Sequence, residues 1–565
     1  MSKTKTPHPS PPEPRRARGI PGEGPGRASP LYSLSPGNGE RVRVRGVATL
    51  VRFVLLLLPV FLLTRCTSID DDPSFLRVTL TASPRDLDPR IGGDEVSQRI
   101  QQLVFSSLFV LDSQLRVVPD VAESIESPDP LTYVVHLRHG VTFQDGSAFT
   151  AADVVYTYRS FLDPNFISAK RGAYRSVTSI DAIDPYTVRF KLKEPFGSFP
   201  VNLVLGIVKN GAKDVSTHPV GTGPYSFVRA IADDRVVLAR YDGYFKGAAH
   251  NPGLVLKVVP DDTMRGLELR KGTIDFVVND ISPDIVRDLE KNGHVKVTSG
   301  PGCDYAYVAF NMRDPVLANV KVRQALAYAV DRQAIVDYLR RGLATPAAGM
   351  LPRVSWAYDP TLQEYMHDPA RAKALLDAAG YPDPDGDGPR SRFTLTLKSS
   401  NVEFTRLQCA VLQQNWKQIG VDVNLRSYEQ ATFLTDIGRG NFQMATAQWA
   451  GGALADPDIL RRVFASTQQP PVGFNRGHFQ DPQVDALIER ATRSTDDTER
   501  RALYGQVQAR IAEQVPYISL WHKTNVVVAQ PNIEGVTVSP SMDFIFIRQL
   551  TRGPRPPADA RQAAR

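Results

Sequence analysis

The chain of 565 residues is 42% hydrophobic, and at that length it can bury more than one core, because single cores stop growing at roughly 250–300 residues. Its formal charge of +7 would suit a nucleic-acid partner, but residues 1–66 hold eleven Lys and Arg against Glu13, Glu23 and Glu40, a surplus of eight that leaves the body at −1. The basicity belongs to the leader, so nucleic-acid binding loses its main support. Cys66, Cys303 and Cys409 are too few for a disulfide framework. Cys303 and Cys409 read as two separate buried thiols, and pairing between them stays open.

Residues 1–39 are rich in Pro, Gly, Ser and Arg without apolar periodicity and are expected to be disordered. A basic stretch at 41–45 and the apolar run FVLLLLPVFLL at 53–63 follow. That run is short of the roughly 20 apolar residues a membrane span needs and fits a secretory signal. Leu63-Thr64-Arg65-Cys66 then resembles a bacterial lipobox, with Arg65 where a small residue is usual. Cys66 is the expected lipidation site; plain export and an uncleaved anchor are the alternatives. The mature body is then expected to begin near Cys66.

Residues 76–80 predict a strand, 86–89 a turn, and 95–110 an amphipathic helix. Ser127-Pro128-Asp129-Pro130 is turn chemistry, and residues 132–137 alternate Tyr133, Val135 and Leu137 against Thr132, Val134 and His136, a half-buried strand. Gln144-Asp145-Gly146 turns the chain, and Thr150 with Asp153 forms a capping box for the next helix. Residues 177–193 read as two strands about Asp184-Pro185. The glycines of 219–227, PVGTGPYSF, could suggest a phosphate loop, but a phosphate cradle must open a helix, and Pro224 instead begins a strand. Gly272 ends a helix before Asp275. Residues 305–311 form a strand and 319–338 two helical segments, with Val322, Leu326, Ala329 and Val330 inward and Asp331 as the second cap.

Asp368-Pro369 opens a helix that Gly380 ends. Asp383, Asp385 and Asp387 alternate as at the start of a calcium loop, yet position twelve is Thr394, so a solvated acidic turn is the better reading. Strand 393–398, helix 402–419 and strand 421–427 make a βαβ unit. Helices follow at 481–493 and 496–514, then strands at 517–520 and 525–529, and a Pro- and Arg-rich tail at 551–565 that is expected to be disordered.

No catalytic pattern emerges: there is no G-x-S-x-G elbow, H-E-x-x-H helix or phosphate loop. His136 and His139, at an odd separation, point to opposite faces of a strand and cannot share a metal from it. No metal site and no cofactor are expected. The best ligand-site candidate is 448–458, QWAGGALADPD, where a Gly-rich loop carries Trp449, Asp456 and Asp458. The competing reading makes Trp449 core and the aspartates caps of the helix from Ile459.

The segment DPLTYVVHLRHGVTFQDGSAFTAADVVYTY at 129–158 resembles the fingerprint of the family 5 extracellular solute-binding proteins, the peptide receptors of ABC importers. Asp86-Leu87-Asp88-Pro89, the VGTGPY stretch, YDGYF at 241–245, LELRKGTID at 267–275 and VRQALAYAVDRQAI at 322–335 keep the family order. The resemblance implies a mixed α/β, two-lobed periplasmic binding protein of type II with an extra subdomain. Lobe I would span 72–305, with the subdomain at about 113–212; lobe II would span 306–522, and 523–550 would return to lobe I. It implies a monomer at the periplasmic side or cell surface, a peptide or other small solute as ligand, ABC permease and ATPase subunits as partners, and no enzymatic activity. Tyr305, Tyr307 and Asn311 join the candidate ligand contacts, because the family's crossing strand lies beside the cleft. Peptide-binding relatives carry an aspartate for the ligand's ammonium where this chain has Gly451, Gly452 or Ala453. That departure keeps nickel chelate, haem and oligosaccharide open as cargo, with a secreted hydrolase or a ligand sensor as rivals from other classes.

Overall fold

The computed structural model describes residues 72–554 except His294 and Asp387. The leader, Cys66 and residues 555–565 lie outside the described residues. A mixed sheet of eleven strands runs in the order Val421–Tyr428, Phe393–Ser400, Met444–Trp449, Lys296–Phe310, Tyr517–Ala529, Phe276–Val278, Leu76–Leu80, Gly253–Val258, Arg235–Arg240 and Tyr225–Ile231, with Ala344–Pro346 paired to the Tyr517–Ala529 strand. Two long antiparallel strands sit at its middle. Lys296–Phe310 faces Tyr517–Ala529 from Lys296↔Ala529 to Ala309↔Tyr517, with a register shift between Pro301 and Tyr305. Beyond that shift the crossing strand also pairs with Met444–Trp449, while the far half of its partner pairs with Phe276–Val278. Each long strand thus belongs to both halves of a two-lobed mixed α/β architecture.

The residues 132–137 form the strand Thr132–Leu137 as expected, with Tyr133, Val135 and Leu137 buried and their alternates half-buried. It lies in a separate four-stranded antiparallel sheet, ordered Ala122–Asp129, Thr132–Leu137, Thr187–Leu192, Val177–Asp184. The helix Ala151–Arg159 closes its core through Val154 and Tyr158. Asp153 accepts from the Thr150 N–H at 2.8 Å, the acidic half of the capping box, and from the Asn210 N–H at 2.8 Å. Asp331 and Asp368 cap their helices by accepting from the Ala334 and Arg371 N–H groups.

Three expectations change. The helix from Glu95 stops at Val104, not at 110. The freed Val104 carbonyl takes N–H donors from Gly223 and the Gln144 side chain, both at 2.9 Å. This is the role of the VGTGPY glycines: a Cβ on Gly221 would lie 2.1 Å from Val104 O, and one on Gly223 2.6 Å from Leu103 O. Their bareness lets a strand approach a helix end. The strands expected at 517–520 and 525–529 are one strand of 13 residues, because Trp521 and His522 between them continue the ladder opposite Ala306 and Tyr305. Finally, the ordered chain passes 550: Thr551–Arg552 pairs with Ile533–Glu534, and the Arg552 guanidinium binds Phe75 O and the buried Asp275.

Cys303 and Cys409 are separate buried thiols in different core clusters. In the acidic turn, Asp385 accepts from the Arg390 N–H at 3.1 Å and Asp383 lies 3.7 Å from Arg392, so arginines share these carboxylates. Among the described residues no helix is long and apolar enough to cross a membrane.

Candidate functional site

Trp449 ends a strand directly opposite Tyr305, and Ala447 lies opposite Tyr307. Residues paired across antiparallel strands share a face, so Trp449, Tyr305 and Tyr307 stand together. Tyr305 and Tyr307 are fully sequestered and stack at 5.6 Å and 14°, and Tyr307 stacks on Tyr517 at 4.4 Å and 1°. The Tyr305 hydroxyl meets Ser519 Oγ at 2.7 Å. Burial pushes both phenols up, so they stay protonated. They form the floor of the region.

Trp449 itself is half-buried. Its ring meets Phe474 edge-on at 5.1 Å and 78°, and the Arg476 guanidinium lies 5.8 Å from it and 5.5 Å from Phe474. Arg462 covers Phe474 at 4.9 Å. The indole Nε1 has no acceptor among the described residues. An aromatic wall with a guanidinium beside it offers a planar apolar contact next to an anion-binding charge. Phe474 and Arg476 in a loop, and Arg462 on the short helix Ile459–Phe464, carry no sequence signal, because such residues fit a solvated surface equally well.

The other candidates are engaged elsewhere. Asp458 spends both carboxylate oxygens on Arg461, each at 2.7 Å. Asp456 accepts from Ser198 Oγ at 2.7 Å and from the Asp458 N–H at 2.8 Å, with Arg500 at 3.5 Å. Burial pushes its carboxyl up, against the opposing pull of Arg500. Asn311 donates to the Gly440 and Phe442 carbonyls at 3.0 and 2.8 Å, bracing that turn. Gly451–Leu454, at the positions of the missing aspartate, form a 3₁₀ turn whose Gly451 N–H donates to Asp304 at 2.7 Å. A second carboxylate therefore stands beside that turn, on the crossing strand.

Behind Tyr305 lies His522, ring to ring at 5.2 Å, with Nε2 3.2 Å from Gly349 O. Burial pushes its pKa down to about 4. The unfolded chain binds the proton at its ordinary value near 6.5, so stability is whole above that pH and falls as pH drops toward 4. Urea midpoints across this window should fall more steeply for the wild type than for His522→Phe, and equal slopes would refute the assignment.

A mixed sheet whose two long middle strands run through both halves has the two-lobed architecture of the periplasmic binding proteins. The chain matches the model of the bacterial extracellular solute-binding proteins, family 5, over residues 116–471, and it belongs to that family. It is 31% identical to the glutathione-binding protein GsiB of Salmonella typhimurium over 476 residues, 81% of this chain and 91% of the relative. It is also 31% identical to heme-binding protein A of Haemophilus influenzae over 459 residues, 75% of this chain and 82% of the relative. The oligopeptide-binding protein AppA of Bacillus subtilis, solved with a nonapeptide, superposes with a TM-score of 0.68 at 26% identity, covering 85% of this chain and 99% of AppA. Family and neighbours are binding proteins that take up small solutes with ABC importers.

Proposed function

We propose that this receptor captures a short peptide-like solute bearing a carboxylate and hands it to an ABC permease and its ATPase. The observation that carries the reading is Arg476 set beside Trp449, whose buried indole N–H has no acceptor among the described residues. A carboxylate at Arg476 and an amide carbonyl at the indole would both gain charge-assisted or neutral hydrogen bonds. Tyr305 and Tyr307 form the floor beneath, while Asp456, Asp458 and Asn311 hold the surrounding loops. Lobe I would comprise 72–305 and 523–552, and lobe II 306–522, with the register shift between Pro301 and Tyr305 as the hinge. Closure would then follow from solute contacts made with both lobes only in the closed state. Anchoring through Cys66 and a monomeric state complete the proposal.

A thermal-shift panel of glutathione, dipeptides, longer peptides, haem and nickel–histidine tests it. A ligand at 100 Kd adds about 2.7 kcal/mol of stability. Glutathione or short acidic peptides should respond, and Trp449→Ala or Arg476→Ala should each cut affinity at least tenfold. A response to haem or the nickel complex alone, or unchanged affinity in both variants, would overturn the reading.

A further inference from the structure

A cavity of about 460 Å³ opens between the hairpin of strands Phe109–Leu111 and Val117–Pro119 and the segment 353–360. Its walls share no residue with the Trp449 patch. Arg116 comes from the hairpin, Arg353 from the segment, and Arg501 from the helix Asp497–Gln514. Ser113, Gln114 and Ser355 add polar groups, and none of the residues lining the cavity is acidic. Three exposed arginines lining one volume concentrate positive charge there. Arg353 has one carboxylate, Glu364 at 2.5 Å, and is held over the Tyr358 ring at 5.7 Å. The Arg116 and Arg501 side chains have no hydrogen bond or ion pair among the described residues. The two walls are also clasped: the Trp356 N–H donates to Gln114 O at 2.9 Å, so the distance across the cavity is set by the fold and not by loop position.

We infer that this cavity binds a compact polyanion, one carrying clustered carboxylates or phosphates, as a site separate from the solute wall. Guanidinium forks suit both oxyanion types and bind them bidentately. The volume exceeds the few tens of Å³ of a water or halide site, and falls within the range of small-molecule pockets. Because the guanidiniums come from the hairpin on one side and from two separate segments on the other, an anion bound among all three would tie these elements together.

Calorimetry on the mature chain with citrate and with pyrophosphate, at matched ionic strength, tests the inference. Saturable binding to either anion is expected, citrate alone marking a carboxylate site and pyrophosphate alone a phosphate site. Arg116→Ser with Arg501→Ser should weaken it at least tenfold, whereas Arg406→Ser, an exposed arginine elsewhere, should leave it unchanged. Neither pair member makes a side-chain bond the fold needs, and an unaltered melting temperature confirms that. No saturable binding, or binding equally strong in the double variant, would overturn the site. Binding of glutathione or acidic peptides should survive the double variant; its loss would place the solute in this cavity and overturn the claim of a separate site. A failure of the Trp449 variants to affect solute binding bears only on the proposed function.

Discussion

Replacing Arg500 by alanine is expected to cost about 3–5 kcal/mol of stability, the range for stranding one partner of a buried ion pair. The Arg500 side chain is 6% exposed and that of Asp456 14%. Arg500 Nη2 donates to Ser198 Oγ at 2.6 Å, and the same hydroxyl donates to Asp456. Ser198 belongs to the segment around the four-stranded sheet, so this triad joins distant stretches of chain. Next to it, the Gly197 N–H donates to Thr492 O at 2.8 Å, and a Cβ on Gly197 would lie 1.8 Å from Ser494 O. Removing the guanidinium leaves a carboxylate without its counter-charge in a site that already disfavours ionisation. The matched double replacement Arg500→Leu with Asp456→Leu should lose less than either single change, because no charge is left buried. Urea denaturation of the three variants measures this. A loss below about 1 kcal/mol for Arg500→Ala would match an exposed pair and defeat the argument.

Leu115→Ala should cost about 2–5 kcal/mol, the span for truncating leucine in a packed core. Leu115 is 1% exposed although it sits at a hairpin tip, because it enters the cluster of Tyr305, Ala357, Leu503 and Tyr504. Its backbone is left-handed at φ 62°, a costly conformation for leucine. Asp112 holds the tip there, its carboxylate accepting from the Gln114 and Arg116 N–H groups at 2.7 and 2.8 Å. Leu115→Gly removes the same burial but relieves the backbone, so it should be no worse than alanine despite glycine's entropy cost. Thermal and urea unfolding of both variants give the comparison. Should alanine prove harmless, the hairpin tip is not an anchor.

Much of the local structure was legible in the residues. Alternation at Thr132–Leu137, the Thr150–Asp153 box, and the caps at Asp331 and Asp368 are each decided by neighbours within a few positions. The motifs at 129–158 and 322–335 likewise pointed to the family whose model the chain then matched over residues 116–471. The candidate site was half legible. Trp449 and the two tyrosines meet on one face because strand register puts them there. The aspartates at 456 and 458 look like ligand groups in a Gly-rich loop; Arg461 stands at the i,i+3 spacing from Asp458 that lets it fork onto that carboxylate, but nothing near Asp456 in the chain announces Ser198, 258 positions away, as a partner.

The same division explains the altered boundaries. The helix from Glu95 ends at Val104 because Gly223 and Gln144 claim its last carbonyl, and both arrive from distant segments. The helix starts, the turns and the strand faces could be read from the residues, since they follow from backbone preferences and apolar periodicity over short range, and the class of fold came from the resemblance of the motifs to the family. Which long-range charged pairs form, which glycines serve close approach, and that Phe474, Arg476 and Trp449 share one wall came from the folded chain alone. Those outcomes depend on burial and on contacts between residues far apart in the chain, where desolvation makes an unpaired charge costly.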